Sequence, residues 1–337
     1  MTNFNSNMIT DKIFNCNKEN FEQLAVDIFH YQYNHNDTYR QYCQAIHIEP
    51  GKITSLQKIP FLPIQFFKTR EIKSDNFNPK AIFESSGTTG TIPSKHYVKD
   101  LALYEKSFNA AFEQFYGDVK DYCILGLLPS YLERKGSSLV YMVNQLIEKS
   151  GHSKSGFYLN EFSKMKETIL ENESNQQQTL LIGVSYALLD FAEQFPMQLK
   201  YTIIMETGGM KGRREEINKE LMHSILKEKF ELNEIHSEYG MTELMSQAYS
   251  KGNGIFNCPP WMKILLRAED NPLETIENDF SEKKYQRGVV NIIDLVNIHS
   301  CSFIATDDNG KLYHDGSFEI TGRMENSDVR GCGLMVM

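Results

Sequence analysis

The sequence predicts an α/β fold that ends in a β-rich segment. Patterns with the periodicity of amphipathic helices alternate with short apolar runs that indicate buried strands. From Gly288 to Arg323 this alternation is replaced by short strands separated by turn residues. Alternating helices and strands favour a layered α/β core, and the final segment favours a β-rich subdomain behind that core.

We expect a single large domain with three parts. A chain of 337 residues can bury a sizeable core, and no internal repeat is visible in it. The patterns indicate a helical N-terminal part over residues 1–75 and an α/β core over residues 76–235. Residues 236–337 are expected to form a β-rich part that also contributes to the candidate site.

The individual elements follow from local patterns. Residues 19–46 have helical periodicity, with Phe21 and Leu24 on the buried side. Prolines within residues 59–64 favour an extended connector, and Ala81–Phe83 is expected to be a strand that enters a loop of small residues. The other expected elements are a helix over 101–116, a strand over 122–128, a helix over 137–149, a polar loop over 171–178, strands over 180–182 and 201–205, a helix over 213–230, and turns at 308–310 and 314–316.

Composition and charge exclude several classes of protein. The chain has 35 basic and 44 acidic residues, a net charge of −9, which argues against a nucleic-acid partner. No apolar run is long enough to cross a membrane, and residues 1–20 show no signal peptide. The six scattered cysteines form no CxxC pair, which favours reduced thiols and argues against a zinc ribbon. We therefore expect a cytoplasmic protein without a transmembrane segment.

A loop of small residues is the first candidate site. The segment Ser85–Lys95 reads SSGTTGTIPSK. Glycines allow the backbone to approach a ligand closely, while amides, hydroxyls and a lysine can all donate to phosphate oxygens. The loop does not match the Walker A pattern, and alone it is equally compatible with a solvated surface loop. The candidate phosphate-binding residues are Ser85, Ser86, Gly87, Thr88, Thr89, Gly90 and Lys95.

A second segment, Ser237–Glu243, reads SEYGMTE. The ring of Tyr239 can stack on a base, the hydroxyl of Thr242 can contact a phosphate, and the carboxylate of Glu243 can bind Mg²⁺. Taken alone, this segment is better explained as a strand end that carries a surface glutamate.

Together the two segments resemble the phosphate loop and the Tyr-Gly-x-Thr-Glu motif of the adenylate-forming superfamily. Three further segments match in the same order: Glu206–Met210, Thr306–Asp307 and Gly322–Arg323. The resemblance covers about residues 55–337 and implies ATP and Mg²⁺ as cofactors. It implies that Gly208, Gly209, Tyr239 and Gly240 receive adenine, that Asp307 and Arg323 bind the ribose, that Thr242 and Lys95 contact phosphates, and that Glu243 binds the metal.

A narrower resemblance is to the acyl-protein synthetase family, the fatty-acid-activating component of bacterial bioluminescence fatty-acid reductase. The segments Ile59–Pro63 and Phe66–Lys68 match N-terminal elements of that family. Typical adenylate-forming enzymes continue well past the Gly-Arg motif with a small domain that carries a catalytic lysine. This sequence stops 14 residues after Arg323, so we expect that domain to be missing.

The resemblance implies ATP-dependent conversion of a carboxylic acid, expected to be a fatty acid, into an acyl adenylate with release of pyrophosphate. The acyl group would then pass to a thiol. Cys332 is one candidate because flanking glycines allow movement and Arg330 favours the thiolate. Coenzyme A and the thiol of a carrier protein or reductase are the others.

Three alternative functions remain open from the sequence. An acyl- or aryl-CoA ligase would use the same motifs. An ester or thioester hydrolase would use Ser185, because the segment 183–187 is close to a nucleophile elbow. A nucleotide-binding scaffold would need no catalysis. Eight apolar residues are candidates for an acyl pocket, although each is more often core: Phe112, Phe115, Tyr131, Leu139, Tyr141, Met142, Tyr186 and Leu188. His236, Cys123, Cys258 and Cys301 are expected to be structural.

Overall fold

The fold is described from a computed structural model. It covers residues 6–85, 92–128, 136–159, 161–208, 217–277, 280–281 and 283–324. Within these ranges, no helix combines the length and the apolar character that crossing a bilayer requires.

The helices lie mainly in the first two thirds of the chain. Short 3₁₀ turns occur at Pro50–Lys52, Leu56–Lys58, Val119–Asp121 and Leu295–Asn297. The α-helices are α1 (Ser6–Phe14), α2 (Phe21–His35), α3 (Asp37–Ala45), α4 (Phe66–Thr69), α5 (Leu101–Tyr116), α6 (Ser138–Ser150), α7 (Phe162–Ser174), α8 (Ser185–Gln194) and α9 (Lys219–Phe230).

Strands occur from residue 62 onward and dominate the C-terminal third. They are β1 (Leu62–Pro63), β2 (Ala81–Glu84), β3 (Lys95–Val98), β4 (Cys123–Leu127), β5 (Gly156–Phe157), β6 (Thr179–Gly183), β7 (Thr202–Glu206), β8 (His236–Tyr239), β9 (Ala248–Ser250), β10 (Phe256–Asn257), β11 (Met262–Arg267), β12 (Tyr285–Asp294), β13 (Phe303–Tyr313) and β14 (Phe318–Arg323). In the described part of the chain, all but β2 and β3 belong to one mixed sheet.

The parallel half of that sheet has the order β8-β7-β6-β4-β5. Every residue of β4 and β6 is buried, as expected for parallel strands that helices cover on both faces. The continuous apolar runs of these strands therefore fit their position. The predictions for residues 122–128 and 180–182 are confirmed within one or two residues.

The other half is antiparallel and has the order β11-β12-β13-β14-β10-β9, with β9 paired to β8. The short strand β1 adds to β13 in parallel, so the N-terminal connector is tied to the β-rich end. The predicted α/β fold with a β-rich C-terminal part is confirmed. The two halves meet at β8 and β9, where strand direction changes.

Two local predictions were wrong in instructive ways. The helix expected over residues 19–46 is two helices, because buried Asn36 lies between them and its side chain accepts the Tyr39 N–H as the N-cap of α3. The turn expected at residues 308–310 lies inside β13, where the register to β14 shifts between Asn309 and Gly310. An Asp-Asn-Gly sequence also suits such an irregularity within a strand. The predicted turn at residues 314–316 is confirmed.

Candidate active site

A cavity opens where the parallel half of the sheet meets the antiparallel half. The chain leaves β7 through Thr207 and Gly208 and leaves β8 through residues 240–243, so both connections reach this edge. The cavity has an empty volume of about 1320 Å³, which includes solvent at its mouth. Seven of the residues predicted for the site line it: Ser85, Gly208, Tyr239, Gly240, Thr242, Glu243 and Arg323.

The remaining predicted residues have different positions. Lys95 is the first residue of β3, and its ammonium lies 3.5 Å from the carboxylate of Glu84, which lines the cavity. Asp307 is buried just behind the cavity wall, and Asp308 lines the wall instead. Ser86, Gly87, Thr88, Thr89, Gly90, Gly209 and Cys332 lie outside the described residues.

The base of the small-residue loop is held by Ser85 and Ser94. The Ser85 N–H donates to the Ser94 carbonyl at 3.0 Å, and the Ser94 N–H donates to the Ser85 hydroxyl at 2.9 Å. The antiparallel pair β2–β3 continues from this point, with Glu84 opposite Lys95. Both ends of the loop are therefore fixed beside the cavity, which is where a phosphate-binding loop needs to begin and end.

Tyr239, Asp308 and Arg323 form a cluster on the antiparallel side of the cavity. The Tyr239 hydroxyl donates to Asp308 Oδ2 at 2.8 Å, and Arg323 Nε donates to Asp308 Oδ1 at 3.1 Å. A second Arg323 nitrogen lies 3.8 Å from Asp307 Oδ2. Asp307 also accepts from the amide of Gln65 at 2.6 Å. Sequence reasoning missed Asp308, because its neighbourhood was interpreted as a turn.

Buried Arg267 supports this cluster from behind. Its guanidinium donates to the Thr306 carbonyl at 2.5 Å and to Asn291 Oδ1 at 2.9 Å. Burial lowers the pKa of Arg267, and nearby Asp307 opposes that effect. Thr306 Oγ1 in turn accepts the Asp308 N–H at 3.1 Å. The two aspartates thus emerge from a rigid, hydrogen-bonded section of β13.

The backbone at Thr242 and Glu243 is held by two buried side chains. Nδ1 of His96 lies 2.9 Å from the Thr242 carbonyl, and the Asn297 amide donates to the Glu243 carbonyl at 2.7 Å. Because a carbonyl only accepts, Nδ1 of His96 must carry a proton. Burial lowers the pKa of His96, so the ring is neutral near pH 7. Glu243 itself is fully buried in the wall of the cavity.

A buried cluster of charged groups, which sequence reasoning did not find, forms the inner wall. Lys219 Nζ lies 2.6 Å from Glu206 Oε1, and His223 Nε2 lies 3.7 Å from the same oxygen. Burial alone would raise the pKa of Glu206, but Lys219 and His223 lower it to about 2. Burial raises the pKa of Glu238 to about 7, even though Thr207 Oγ1 donates to Glu238 Oε2 at 2.6 Å. At pH 7 the carboxylate of Glu206 is therefore ionised, whereas that of Glu238 titrates near this pH.

The hydroxyl of Ser185 is not placed for nucleophilic attack. Ser185 is buried at the start of α8, and its hydroxyl donates to the Gly208 carbonyl at 2.6 Å. Its single proton is thus used to support the predicted adenine segment. His236 lies 3.1 Å from the Tyr116 hydroxyl, and burial lowers its pKa to about 4, in line with a structural role.

The apolar residues proposed for an acyl pocket do not all lie at the cavity. Leu139 and Met142, both on α6, line the cavity. Phe112, Tyr186 and Leu188 belong to the buried core. Tyr131 lies outside the described residues. Cys123 and Cys301 are fully buried, as predicted, and Cys258 is partly buried.

The sequence is similar to a family described as acyl-protein synthetase, LuxE, which matches residues 11–131. The long-chain-fatty-acid–luciferin-component ligase of Aliivibrio fischeri is 21% identical over 348 residues, covering 95% of this chain and 89% of the relative. The ligase of the same name from Vibrio harveyi is 23% identical over 344 residues, covering 94% of this chain and 87% of the relative. The similarity to these relatives therefore extends over nearly the whole chain.

Two solved structures show the same fold. A 2-hydroxyisobutyryl-CoA ligase in complex with R3-HIB-AMP superposes with a TM-score of 0.61 at 11% identity, covering 96% of this chain and 72% of that one. McyG A-PCP complexed with phenylalanyl-adenylate superposes with a TM-score of 0.51 at 15% identity, covering 88% of this chain and 56% of that one. At these identities the similarity establishes the fold.

Proposed function

We propose that this chain, which is similar to acyl-protein synthetases over nearly its whole length, activates a fatty acid with ATP and transfers the acyl group to a thiol. One observation carries the proposal. A single cavity contains the base of the small-residue loop, the Tyr239–Glu243 segment and Arg323, although these lie far apart in sequence. A scaffold protein has no physical need for phosphate-binding, metal-binding and ribose-binding groups in one place.

The nucleotide would lie across the antiparallel side of this cavity. The adenine would pack between Tyr239 and the chain at Gly208, and the ribose hydroxyls would bind the carboxylates beside Arg323. The phosphates would then extend toward Thr242, Ser85 and the loop that begins there. Lys95, half-exposed at the other end of that loop, supplies the positive charge that a triphosphate requires.

The metal would bind together with the nucleotide. Among the residues that the structure describes, no group of three acidic, histidine or cysteine side chains converges to form a protein-only metal site. Mg²⁺ keeps oxygen ligands and is commonly held by one or two carboxylates plus substrate phosphates, which fits the single carboxylate of Glu243. When bound, Mg²⁺ would neutralise charge on the phosphates.

The first chemical step forms a mixed anhydride. A carboxylate oxygen of the acid attacks the α-phosphorus of ATP, the bond to the β-phosphate oxygen breaks, and pyrophosphate leaves. The protein contributes position and charge stabilisation rather than covalent chemistry. Thr242, whose backbone His96 holds, would direct its hydroxyl to the α-phosphate.

In the second step a thiolate attacks the acyl carbonyl carbon, a thioester forms and AMP leaves. The five described cysteines are poor acceptors, since burial raises the pKa of every one of them. Cys332, with Arg330 and two glycines beside it, is the acceptor that we propose within this chain. A carrier protein, a partner reductase or coenzyme A are the external alternatives.

Pyrophosphate exchange tests the first step. We expect the purified protein to incorporate labelled pyrophosphate into ATP only when both Mg²⁺ and a suitable carboxylic acid are present. Exchange absent with every acid in a panel of chain lengths would contradict the proposed function.

Replacement of the acceptor tests the second step. With labelled fatty acid and ATP, the wild-type protein should acquire a label that survives denaturing electrophoresis and is released by hydroxylamine, as a thioester is. We expect Cys332→Ser to abolish this label and leave pyrophosphate exchange intact, because the first step needs no thiol. Cys258→Ser is the matched control and should keep the label. Label retained in Cys332→Ser would exclude Cys332 as the carrier.

Paired substitutions test which aspartate serves the ribose. Asp308 lines the cavity and is bonded to both Tyr239 and Arg323, whereas Asp307 is bonded to Gln65 behind the wall. We expect Asp308→Asn to raise the KM for ATP by about 10-fold or more, since a charge-assisted hydrogen bond contributes about 1.5–3 kcal/mol. Asp307→Asn should have the smaller effect. A larger increase in the KM for ATP in Asp307→Asn than in Asp308→Asn would assign the ribose to Asp307, as the resemblance implied.

A further inference from the structure

A row of residues in register crosses the sheet at the inner wall of the cavity. Its members are Glu206 on β7, Ser237 on β8, Ser250 on β9, Phe256 on β10 and Phe318 on β14. Side chains paired in this way point to the same face of a sheet. The row therefore has a carboxylate at one end and aromatic rings at the other. The two serines between them are short and leave room for a side chain from another element.

Lys219, the first residue of α9, spans this row. Its ammonium lies 2.6 Å from Glu206 Oε1 at one end and 4.8 Å from the centre of the Phe256 ring toward the other. The Lys219 side chain is 21% exposed and lines the cavity, so a ligand can reach it. An ammonium carries three N–H donors, and Glu206 Oε1 can accept one of them. The ionised carboxylate thus fixes the position of Lys219 and leaves donors for a ligand.

Tyr239 indicates which end of a stacked base meets this ammonium. The hydroxyl end of its ring is bonded to Asp308, the carboxylate proposed to bind the ribose. The backbone end lies on β8 two residues, about 7 Å, beyond Ser237, and on the same face of the sheet. A purine that stacks on Tyr239 with its ribose at Asp308 therefore directs its opposite end toward Glu206 and Lys219.

That end of the purine is where adenine differs from guanine. The ribose is attached at N9, and N1 lies at the opposite end of the ring system together with the substituent on C6. In adenine, N1 is an acceptor and can take an N–H of Lys219. In guanine and hypoxanthine, N1 carries a proton, so two donors would face each other. A site built to donate a hydrogen bond discriminates strongly against a ligand that cannot accept it, because polar groups are then left unpaired.

We propose that Lys219 donates a hydrogen bond to N1 of adenine and thereby selects ATP over nucleotides whose N1 carries a proton. Lys219 is a specificity-determining residue in this role, and Glu206 is a positioning residue that acts through it. The inference rests on the nucleotide site of the proposed function and makes the recognition of the base more specific.

Binding of ATP analogues to the full chain tests the inference. Calorimetry with Mg²⁺ and without any acid measures the Kd of each nucleotide. We expect 1-deaza-ATP, in which a C–H replaces N1, to bind about 10-fold or more weakly than ATP, since it loses a hydrogen bond from a charged donor. ITP, which has the same ribose and triphosphate but a protonated N1, should bind at least as weakly. The matched control is 7-deaza-ATP, which keeps N1 and should bind about as tightly as ATP.

Removal of the ammonium should abolish this discrimination. Lys219→Met leaves the charge of Glu206 uncompensated, so the double variant Glu206→Gln with Lys219→Met is measured beside it. In both variants the ratio of the Kd for 1-deaza-ATP to the Kd for ATP should fall toward one, whereas loss of a purely structural lysine would weaken both nucleotides equally. Glu206→Gln alone should lower the ratio in part, because the ammonium is no longer fixed.

Lys227→Met is the control variant, since Lys227 belongs to the same helix and pairs with Glu234 away from the cavity. It should keep the wild-type ratio. Thermal melting of every variant verifies folding.

The outcomes separate this inference from the proposed function. Equal binding of ATP and 1-deaza-ATP to the wild type, or a ratio unchanged in both methionine variants of Lys219, would overturn the inference and leave the proposed function standing. Selective binding of ATP without acid-dependent pyrophosphate exchange would support the inference and contradict the proposed chemistry. Failure of ATP to bind in the presence of Mg²⁺ would overturn both.

Discussion

Replacing Glu243 with glutamine should reduce acid-dependent pyrophosphate exchange by about 100-fold or more, since removal of one preorganised electrostatic contact to a developing charge has effects of that size. Glu243 is fully buried at the cavity, and its carbonyl is held by Asn297 at 2.7 Å. Glutamine preserves the shape and this backbone contact, but it lacks the charge that a hard cation prefers. Exchange by this variant should be slower than exchange by the wild type at every Mg²⁺ concentration. Raising the Mg²⁺ concentration should restore the rate only partly.

The matched control is Glu234→Gln. Glu234 is a partly exposed carboxylate that pairs with Lys227 at 3.2 Å, away from the cavity. This variant should exchange pyrophosphate at the wild-type rate, and both variants should melt within a few degrees of the wild type. Unchanged exchange in Glu243→Gln would remove Glu243 from the proposed metal site.

Replacing Lys219 with methionine should lower the free energy of unfolding by about 3–5 kcal/mol, the usual effect of removing one partner from a buried ion pair. Lys219 lies 2.6 Å from Glu206, a carboxylate that is almost completely buried. Without the lysine, His223, at 3.7 Å, is the one basic side chain in the described part of the chain that still pairs with the charge. Urea denaturation at pH 7 measures the change.

The exposed pair Lys227–Glu234 is the control, and Lys227→Met should change the unfolding free energy by at most about 1 kcal/mol. The double variant Glu206→Gln with Lys219→Met should recover part of the lost stability, because it leaves no uncompensated charge. Equal effects of Lys219→Met and Lys227→Met would contradict the importance of the buried pair.

The pair formed by Glu206 and Lys219 also predicts how the stability of the fold depends on pH. Lys219 and His223 hold the pKa of Glu206 at about 2, below its ordinary value of 4.5. The ionised carboxylate therefore stabilises the fold above pH of about 4.5, and this contribution is lost as the pH falls toward 2. Glu206→Gln should show a shallower loss of stability over that interval, measured by thermal melting.

The motif residues of the site were predictable from the sequence because the chemistry of phosphate and metal binding restricts residue types. Ser85, Tyr239, Thr242 and Glu243 stand in short segments whose composition predicts that they share one site. The structure brings them to one cavity. The buried strands were predictable for a similar reason, since a parallel strand covered on both faces needs a continuous apolar run.

The polar walls of the cavity were not predictable. Asp308 was assigned to a turn, although the Asp-Asn-Gly sequence lies within β13, because turn residues also occur where strand register shifts. Glu206 and Glu238 stand within segments that the sequence analysis singled out, but nothing in the sequence predicts that they are buried beside Lys219. Only the fold buries them side by side.

By itself the sequence determined the chemical class of this protein, because local motifs specify which groups can hold a nucleotide. The tertiary structure decided which polar groups are buried together in the wall of the cavity. Tyr239 is bonded to Asp308, Glu238 accepts from Thr207, and Lys219 pairs with buried Glu206, although these residues lie far apart along the chain. Burial is what makes these pairings matter, since an unsatisfied polar group is costly only where solvent is excluded.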